Sequence, residues 1–394
     1  MSSYSSVFKD ESKLDINYVP SRLPHRELHL NLLNRFFRFA IETPGKMTQR
    51  VLIVGKIGSG KTVLSQHFGF SITREAQKRG INLNYVHVNC RECGGSFFTI
   101  LHRTILKFYP RFPRRGYSEA ELTQMLMQIL DDRNAYLILT MDELEALIRR
   151  EGSDPLYSLT RIQEGRLEAP QRLSLVCVLR EPEYLNRLDA STRSTLQRNI
   201  IRLEEYSTPQ LRDILNDRVD LAFRYGAVST QTLDLISELA ASERGDARYA
   251  IELLWRAGKY ADATGSPEVL PEYVRKAAVS VYPVVRKDTV SSLSLHEKLF
   301  LLGVARRFKQ TGAAYMSMGE AEEAYAIVCE EFGEKGRGHT QLWKYVKELS
   351  ALDIIRAEPS GVGRRGKTTL ISLPRVPASD LEQELSRVLY KRRM

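Results

Sequence analysis

Apolar residues in the first half of the chain fall into short solid runs separated by amphipathic stretches. VLIV (51–54) and LNYVHVN (83–89) read as strands, and AYLILTMDE (135–143) and LSLVCVLRE (173–181) as buried strands, with helices over about 62–78 and 119–130 between them. Such alternation predicts an α/β fold, a parallel sheet with helices on both faces. From Thr208-Pro209, a hydroxyl cap followed by proline, the period becomes helical through Leu211, Ile214, Leu215 and Val219. Further helices fit 230–241, 245–263 and 271–281, an all-helical block. After a linker-like VVRKDTVSS, SLHE (294–297) and SMGE (317–320) match capping boxes, and a third helix begins near Thr340. DIIRAEP and TTLISL then flank a glycine-rich SGVGRRGK, which predicts a hairpin. Three helices and a hairpin follow the order of a winged helix. The expected domains are 1–205, 206–285 and 286–394.

Composition narrows the class. No apolar run in the 394 residues approaches the roughly 18 needed to cross a bilayer. The start, MSSYSSVFKDESK, has no apolar signal core. We expect a soluble, cytoplasmic protein without a membrane partner. Lys plus Arg is 58 against 48 Asp plus Glu, a formal +10 that favours a polyanionic partner. Cys90, Cys93, Cys177 and Cys329 offer one C-x-x-C pair and no second ligand pair, so reduced, structural cysteines are expected.

Two segments fit G-x-x-x-x-G-K-[ST]: GKIGSGKT (55–62) and GVGRRGKT (361–368). A phosphate loop needs a buried strand before it and a helix amino terminus after it, so that backbone N–H groups converge on the phosphates. Only the first has both flanks. Gly55, Lys56, Gly58, Ser59, Gly60, Lys61, Thr62 and Val63 are therefore the candidate cradle for ATP or ADP, with Lys61 on the phosphates. The acidic pair ending AYLILTMDE supplies the complement. Thr62 and Asp142 are candidate Mg²⁺ ligands, and Glu143 a candidate to orient or deprotonate the attacking water. The second match, framed by two strands, reads as a wing tip.

YVPSRLPHRE (18–27), GKIGSGKT, MDE, EEYSTPQLRDILNDRV (204–219), GDARYAIELLWRAG (245–258) and the terminal winged helix, in that order and spacing, resemble the archaeal origin-recognition initiators. These are AAA+ ATPases related to the eukaryotic origin recognition complex. The resemblance implies a AAA+ module, a helical lid and a winged helix. It implies that Tyr18, Val19 and Pro20 pass the adenine, that Tyr206 and Arg218 reach the nucleotide from the lid, and that Arg248 acts as the second sensor. Two departures stand out: Arg180 occupies the first-sensor position, usually polar, and Ser191 the arginine-finger position, with Arg193 a displaced candidate. The expectation is a weak ATPase that binds nucleotide tightly and hydrolyses it slowly.

Helical spacing puts Leu342, Val346 and Leu349 on the core face of the third helix, and Thr340, Gln341, Lys344 and Lys347 opposite. Nine basic and three acidic residues lie between 335 and 375. With Arg364, Arg365 and Lys367 at the hairpin tip, this patch suits double-stranded DNA. YPRFPRRGYS (109–118) interleaves Arg111, Arg114 and Arg115 with aromatics, where the resembled family carries an inserted helical element that grips DNA. The resemblance implies an initiator that binds and deforms origin duplex and helps load a replicative helicase, with that helicase or a second initiator paralogue as the expected protein partner. It is expected to be monomeric in solution, with several copies on DNA. The alternatives are a nucleotide-gated transcription regulator or signalling ATPase, a clamp-loader subunit and a metabolic kinase.

Overall fold

The computed structural model describes residues 6–164, 169–281, 293–352, 354–359, 369–373 and 376–391. The chain divides into two units.

One unit, Val19–Tyr206 with Gly245–Ala247, is the predicted α/β module. Its elements are α1 (Glu27–Phe37), α2 (Phe39–Glu42), β1 (Arg50–Gly55), α3 (Lys61–Lys78), β2 (Leu83–Asn89), α4 (Phe97–Leu106), α5 (Glu119–Asp132), β3 (Tyr136–Asp142), α6 (Glu145–Glu151), α7 (Asp154–Arg161), β4 (Leu173–Leu179), α8 (Ala190–Leu196) and β5 (Ile200–Leu203). The five strands run parallel in the order β2-β3-β4-β1-β5. Successive side chains of a strand point to opposite faces, and the burial follows. Leu52, Val54, Leu137, Leu139, Leu175 and Cys177 pack in one cluster with α4 and α5 residues, whereas Val51, Ile53, Ile138, Val176 and Val178 pack in another with α1 and α3 residues. All seven β4 residues are buried, as a central strand covered on both faces requires.

The other unit begins with α9 (Thr208–Ala222), α10 (Thr230–Ser242), α11 (Ala247–Thr264) and α12 (Pro271–Val281). It continues through α13 (Leu295–Thr311), β6 (Met316–Ser317), α14 (Met318–Phe332), α15 (His339–Ala351), β7 (Arg356–Pro359), β8 (Thr369–Ser372) and α16 (Ala378–Lys391). Both capping boxes form, Ser294 with Glu297 and Ser317 with Glu320. Strands β7 and β8 pair antiparallel with Pro359 opposite Thr369, and β6 adds to β8 in a three-stranded sheet. This is a winged helix with an extra terminal helix, whose Leu381, Leu385 and Leu389 join its core.

Two boundaries differ from the sequence reading. Residues 6–18, assigned there to the first domain, pack on the lid helices. Phe8 packs on Phe223 with ring centres 4.8 Å apart and planes tilted by 39°, and Ser6 and the Val7 N–H donate to Asp262. Gly258 leaves room for the Phe8 ring, since a Cβ there would lie 2.4 Å from it. Tyr206, assigned to the lid, packs with the α/β module instead: it precedes Ser207, the cap of α9, and its ring is buried beside the glycine loop.

Candidate nucleotide site and nucleic-acid interface

Strand β1 runs into GKIGSGKT, and the loop closes on itself before α3 begins. The Ser59 hydroxyl donates to the Lys56 carbonyl at 2.9 Å, and the Lys61 ammonium donates to the same oxygen at 2.7 Å. Gly58 and Gly60 have φ of +75° and +87°, a region costly for residues with a Cβ. Gly60 caps α3, so the free N–H groups of the first turn face the loop. Space reinforces the backbone requirement. A Cβ on Gly60 would lie 2.8 Å from the Tyr206 hydroxyl, and one on Gly58 would collide with Asp246. The Ala247 N–H donates to the Gly58 carbonyl at 3.3 Å, so the Gly245–Ala247 turn is seated on the loop.

Arg26 holds this assembly from the other side, and sequence reasoning missed it. It is 4 % exposed. Its guanidinium donates to the Ser59 carbonyl at 2.9 Å and to the Glu204 carbonyl at 2.7 Å, and it lies 3.9 Å from the centre of the Tyr206 ring. One planar cation thus ties the loop to the end of β5 and covers an aromatic face. Its only sequence signal was membership of the quoted YVPSRLPHRE segment.

The acidic end of β3 meets the loop directly. The Thr62 hydroxyl donates to Asp142 Oδ2 at 2.6 Å across 80 residues of sequence. His87 Nε2 lies 3.4 Å from the same oxygen, and the Glu143 N–H donates to Asp142 Oδ1 at 2.8 Å. Burial alone would push the Asp142 carboxyl up. Its contacts with His87 and Thr62 outweigh burial and hold it below the usual carboxylate range. A hydroxyl and an ionised carboxylate this close form a hard oxygen pair, the donor chemistry that Mg²⁺ takes, so the residues fit the ion.

Glu143 has φ of +50°, in the left-handed region. Its carboxylate accepts a hydrogen bond from Arg180, which follows β4, while the Arg180 N–H donates to the buried Glu145 at 2.7 Å. Arg180, the residue expected at the first-sensor position, is therefore engaged with Glu143 and Glu145. Arg193 lies half-buried on α8, and Ser191 accepts a hydrogen bond from Arg161 at 2.6 Å.

In the other unit, Tyr18 and Arg218 come together. Arg218 is buried, donates to the Lys13 carbonyl at 2.8 Å, and lies 4.9 Å from the centre of the Tyr18 ring. Val19 and Pro20 are half-buried in the α/β module, and Arg248 is exposed in the first turn of α11.

On α15, Leu342, Val346 and Leu349 are buried, with Tyr345 beside them. Thr340, Lys344 and Lys347 are exposed, and Gln341 is half-buried. Lys344 approaches Glu348 at 3.8 Å, and Lys347 lies 5.9 Å from the Trp343 ring centre, so both ammonium groups stand on the solvent face. Arg364, Arg365 and Lys367 lie outside the described residues.

The basic segment between α4 and α5 is a loop rather than the inserted helical element implied by resemblance. Pro110, Pro113 and Gly116 account for this: proline has no N–H to donate, and Gly116 has φ of +100°. Phe112 and Tyr117 stack with centres 5.1 Å apart and face inward, and His102 is 3.0 Å from the Pro113 carbonyl. Arg111, Arg114 and Arg115 remain exposed at its rim.

All four cysteines are free and buried. Among the described residues no group of three or more His, Cys, Asp or Glu is placed to hold a metal, and no helix is long and apolar enough to cross a membrane.

Comparison with known proteins gives consistent matches. Residues 212–279 match the model of a Cdc6 AAA+ ATPase-type lid domain, and residues 288–383 that of a CDC6 C-terminal winged helix domain. The chain is 35% identical to ORC1-type DNA replication protein 2 of Sulfurisphaera tokodaii, across 95% of this chain and 91% of that one. It is similar to the crystal structure of Cdc6p from Pyrobaculum aerophilum, with a TM-score of 0.84 and 32% identity over 98% of this chain and 100% of the other. It is also similar to the Aeropyrum pernix ORC1 protein solved in complex with DNA, with a TM-score of 0.64 and 29% identity over 99% of this chain and 100% of the other.

Proposed function

The chain belongs to the ORC1-type DNA replication proteins, and from that premise we propose that it is a nucleotide-switched initiator that binds origin duplex and helps to load the replicative helicase. The observation that carries the nucleotide half is the 2.6 Å hydrogen bond from Thr62 to Asp142. Two motifs with no other reason to meet are joined at the carboxyl edge of a parallel sheet, where phosphates bind in such folds. The loop N–H groups and Lys61 hold the phosphates, and Thr62 and Asp142 hold Mg²⁺, which when bound neutralises phosphate charge. Glu143 orients or deprotonates water. Val19 and Pro20, with Tyr18, are the proposed adenine contacts. Arg218 and Arg248 are proposed to report the nucleotide to the lid, and Arg193 to act on a neighbouring copy's nucleotide.

The DNA half rests on the exposed Lys344 and Lys347 on α15, the β7–β8 hairpin and the outward Arg111, Arg114 and Arg115. In a winged helix the third helix enters the major groove while the wing meets backbone or minor groove. Arg364, Arg365 and Lys367 are the proposed wing contacts. Two grips on one duplex favour bending or underwinding it. The protein is proposed to be monomeric in solution and to assemble in several copies, or with a paralogue, on DNA.

Genome-wide footprinting with the purified protein, with and without ATP, tests this reading. Protection concentrated at replication origins is expected. Protection at promoters alone would replace it with a nucleotide-gated transcription regulator.

A further inference from the structure

The geometry points to Arg180 as a lock on Glu143: the arginine that follows β4 occupies the carboxylate that must receive the proton of the attacking water, and so keeps ATP hydrolysis slow. This rests on the nucleotide-site reading above and explains how turnover at that site is restrained.

Both partners are held from the backbone outward. The Arg180 N–H is fixed by the Glu145 carboxylate, itself 3 % exposed. The Leu144 N–H donates to the Val178 carbonyl at 3.0 Å, which joins the residue after Glu143 to the strand before Arg180. Glu143 is turned by its left-handed φ of +50°, a conformation that non-glycine residues keep only when their surroundings impose it. The guanidinium of Arg180 then donates to Glu143 Oε1. The side chains are 35% and 25% exposed, so the pair is neither dry nor freely solvated and can open.

Hydrolysis requires a water oxygen to bond to the γ-phosphorus while the bond to the β–γ bridging oxygen breaks. That electron pair leaves with ADP, and the water proton passes to a Glu143 oxygen. A carboxylate paired with a guanidinium has its charge offset and its rotation fixed, so it is a weaker base toward that water until the pair opens. A short polar residue at position 180 would leave the carboxylate free to face water. Arg180 is thus a positioning residue that acts through Glu143, and opening the pair is the step at which nucleotide turnover is released.

Steady-state ATP hydrolysis and direct ATP binding are measured on the full chain as wild type, Arg180→Gln, Arg180→Lys, Glu143→Gln and the double variant Arg180→Gln/Glu143→Gln. Arg180→Gln is expected to raise kcat about tenfold with KM and the ATP Kd unchanged, a size in keeping with the general-base contribution of a freed carboxylate. Arg180→Lys, which keeps a cation beside Glu143, should stay within about threefold of wild type, and the double variant should fall to the Glu143→Gln rate. Turnover in Arg180→Gln at or below the wild-type rate, with ATP still bound, overturns the lock. A double variant as fast as Arg180→Gln overturns the assignment of Glu143 as base. Failure of the wild-type protein to bind ATP overturns the nucleotide-site reading itself.

Discussion

At the scale of single residues, the nucleotide loop depends on groups that lie outside its motif. Arg26 satisfies the Ser59 and Glu204 carbonyls and covers Tyr206, whose hydroxyl stands against Gly60. Removing the guanidinium leaves the buried Ser59 carbonyl and the half-buried Glu204 carbonyl without this donor, at about 1–3 kcal/mol for the buried group and less for the other. Arg26→Ala is therefore expected to lower unfolding free energy by roughly 2–4 kcal/mol and to weaken ATP binding about tenfold. Urea denaturation and a nucleotide titration check both values; unchanged ATP affinity in a folded variant would remove Arg26 from the site.

At the scale of elements, the sequence read well where burial is continuous or periodic. Strands β1, β3 and β4 appeared as apolar runs because a strand covered on both faces has no polar alternation to hide it, whereas β2, at the sheet edge, carries Asn84, His87 and Asn89 among its apolar residues. Helices α9 to α12 and the two capping boxes followed from 3.6-residue spacing and local side-chain chemistry. Strand β5, four residues long, and the short α6 and α7 carry too few positions to set a period. Arg26 was invisible for a different reason: its partners lie 33 and 178 residues away, and no local pattern encodes carbonyl acceptors. Tyr206 was assigned to the lid by family resemblance, although its ring packs backwards on the glycine loop.

Arg275 on α12 is another such case. It is fully buried, donates to the carbonyls of Leu373, Ala313 and Ala314 at 3.0–3.1 Å, and pairs with Glu272 at 3.2 Å. One lid side chain thus satisfies three winged-helix carbonyls and stacks 4.7 Å from the Phe308 ring centre. Arg275→Ala should cost about 3–5 kcal/mol in urea unfolding, as breaking a buried, hydrogen-bonded cation does. It should also raise amide exchange in α12 and β8 together. A loss confined to tenths of a kcal/mol would show that the junction does not depend on this residue.

At the scale of the molecule, one motif match occurs in two different settings. GKIGSGKT follows a buried strand and opens a helix, so its amides and Lys61 are arranged for a nucleotide. GVGRRGKT lies between β7 and β8, antiparallel strands that provide no helix amino terminus. The formal charge of +10 is dense along the sequence between 335 and 375, and of those residues Lys344 and Lys347 stand exposed on α15. Most of the binding energy is expected from phosphate contacts, so affinity should fall steeply with salt. The most direct test is a titration of origin duplex across a series of salt concentrations with wild type and Lys344→Ala/Lys347→Ala, with ATP binding measured in parallel. The account predicts at least tenfold weaker DNA binding in the double variant, a slope of log affinity against log salt shallower by about 2, and unchanged ATP affinity. Equal affinity and equal slope for the two proteins would contradict it.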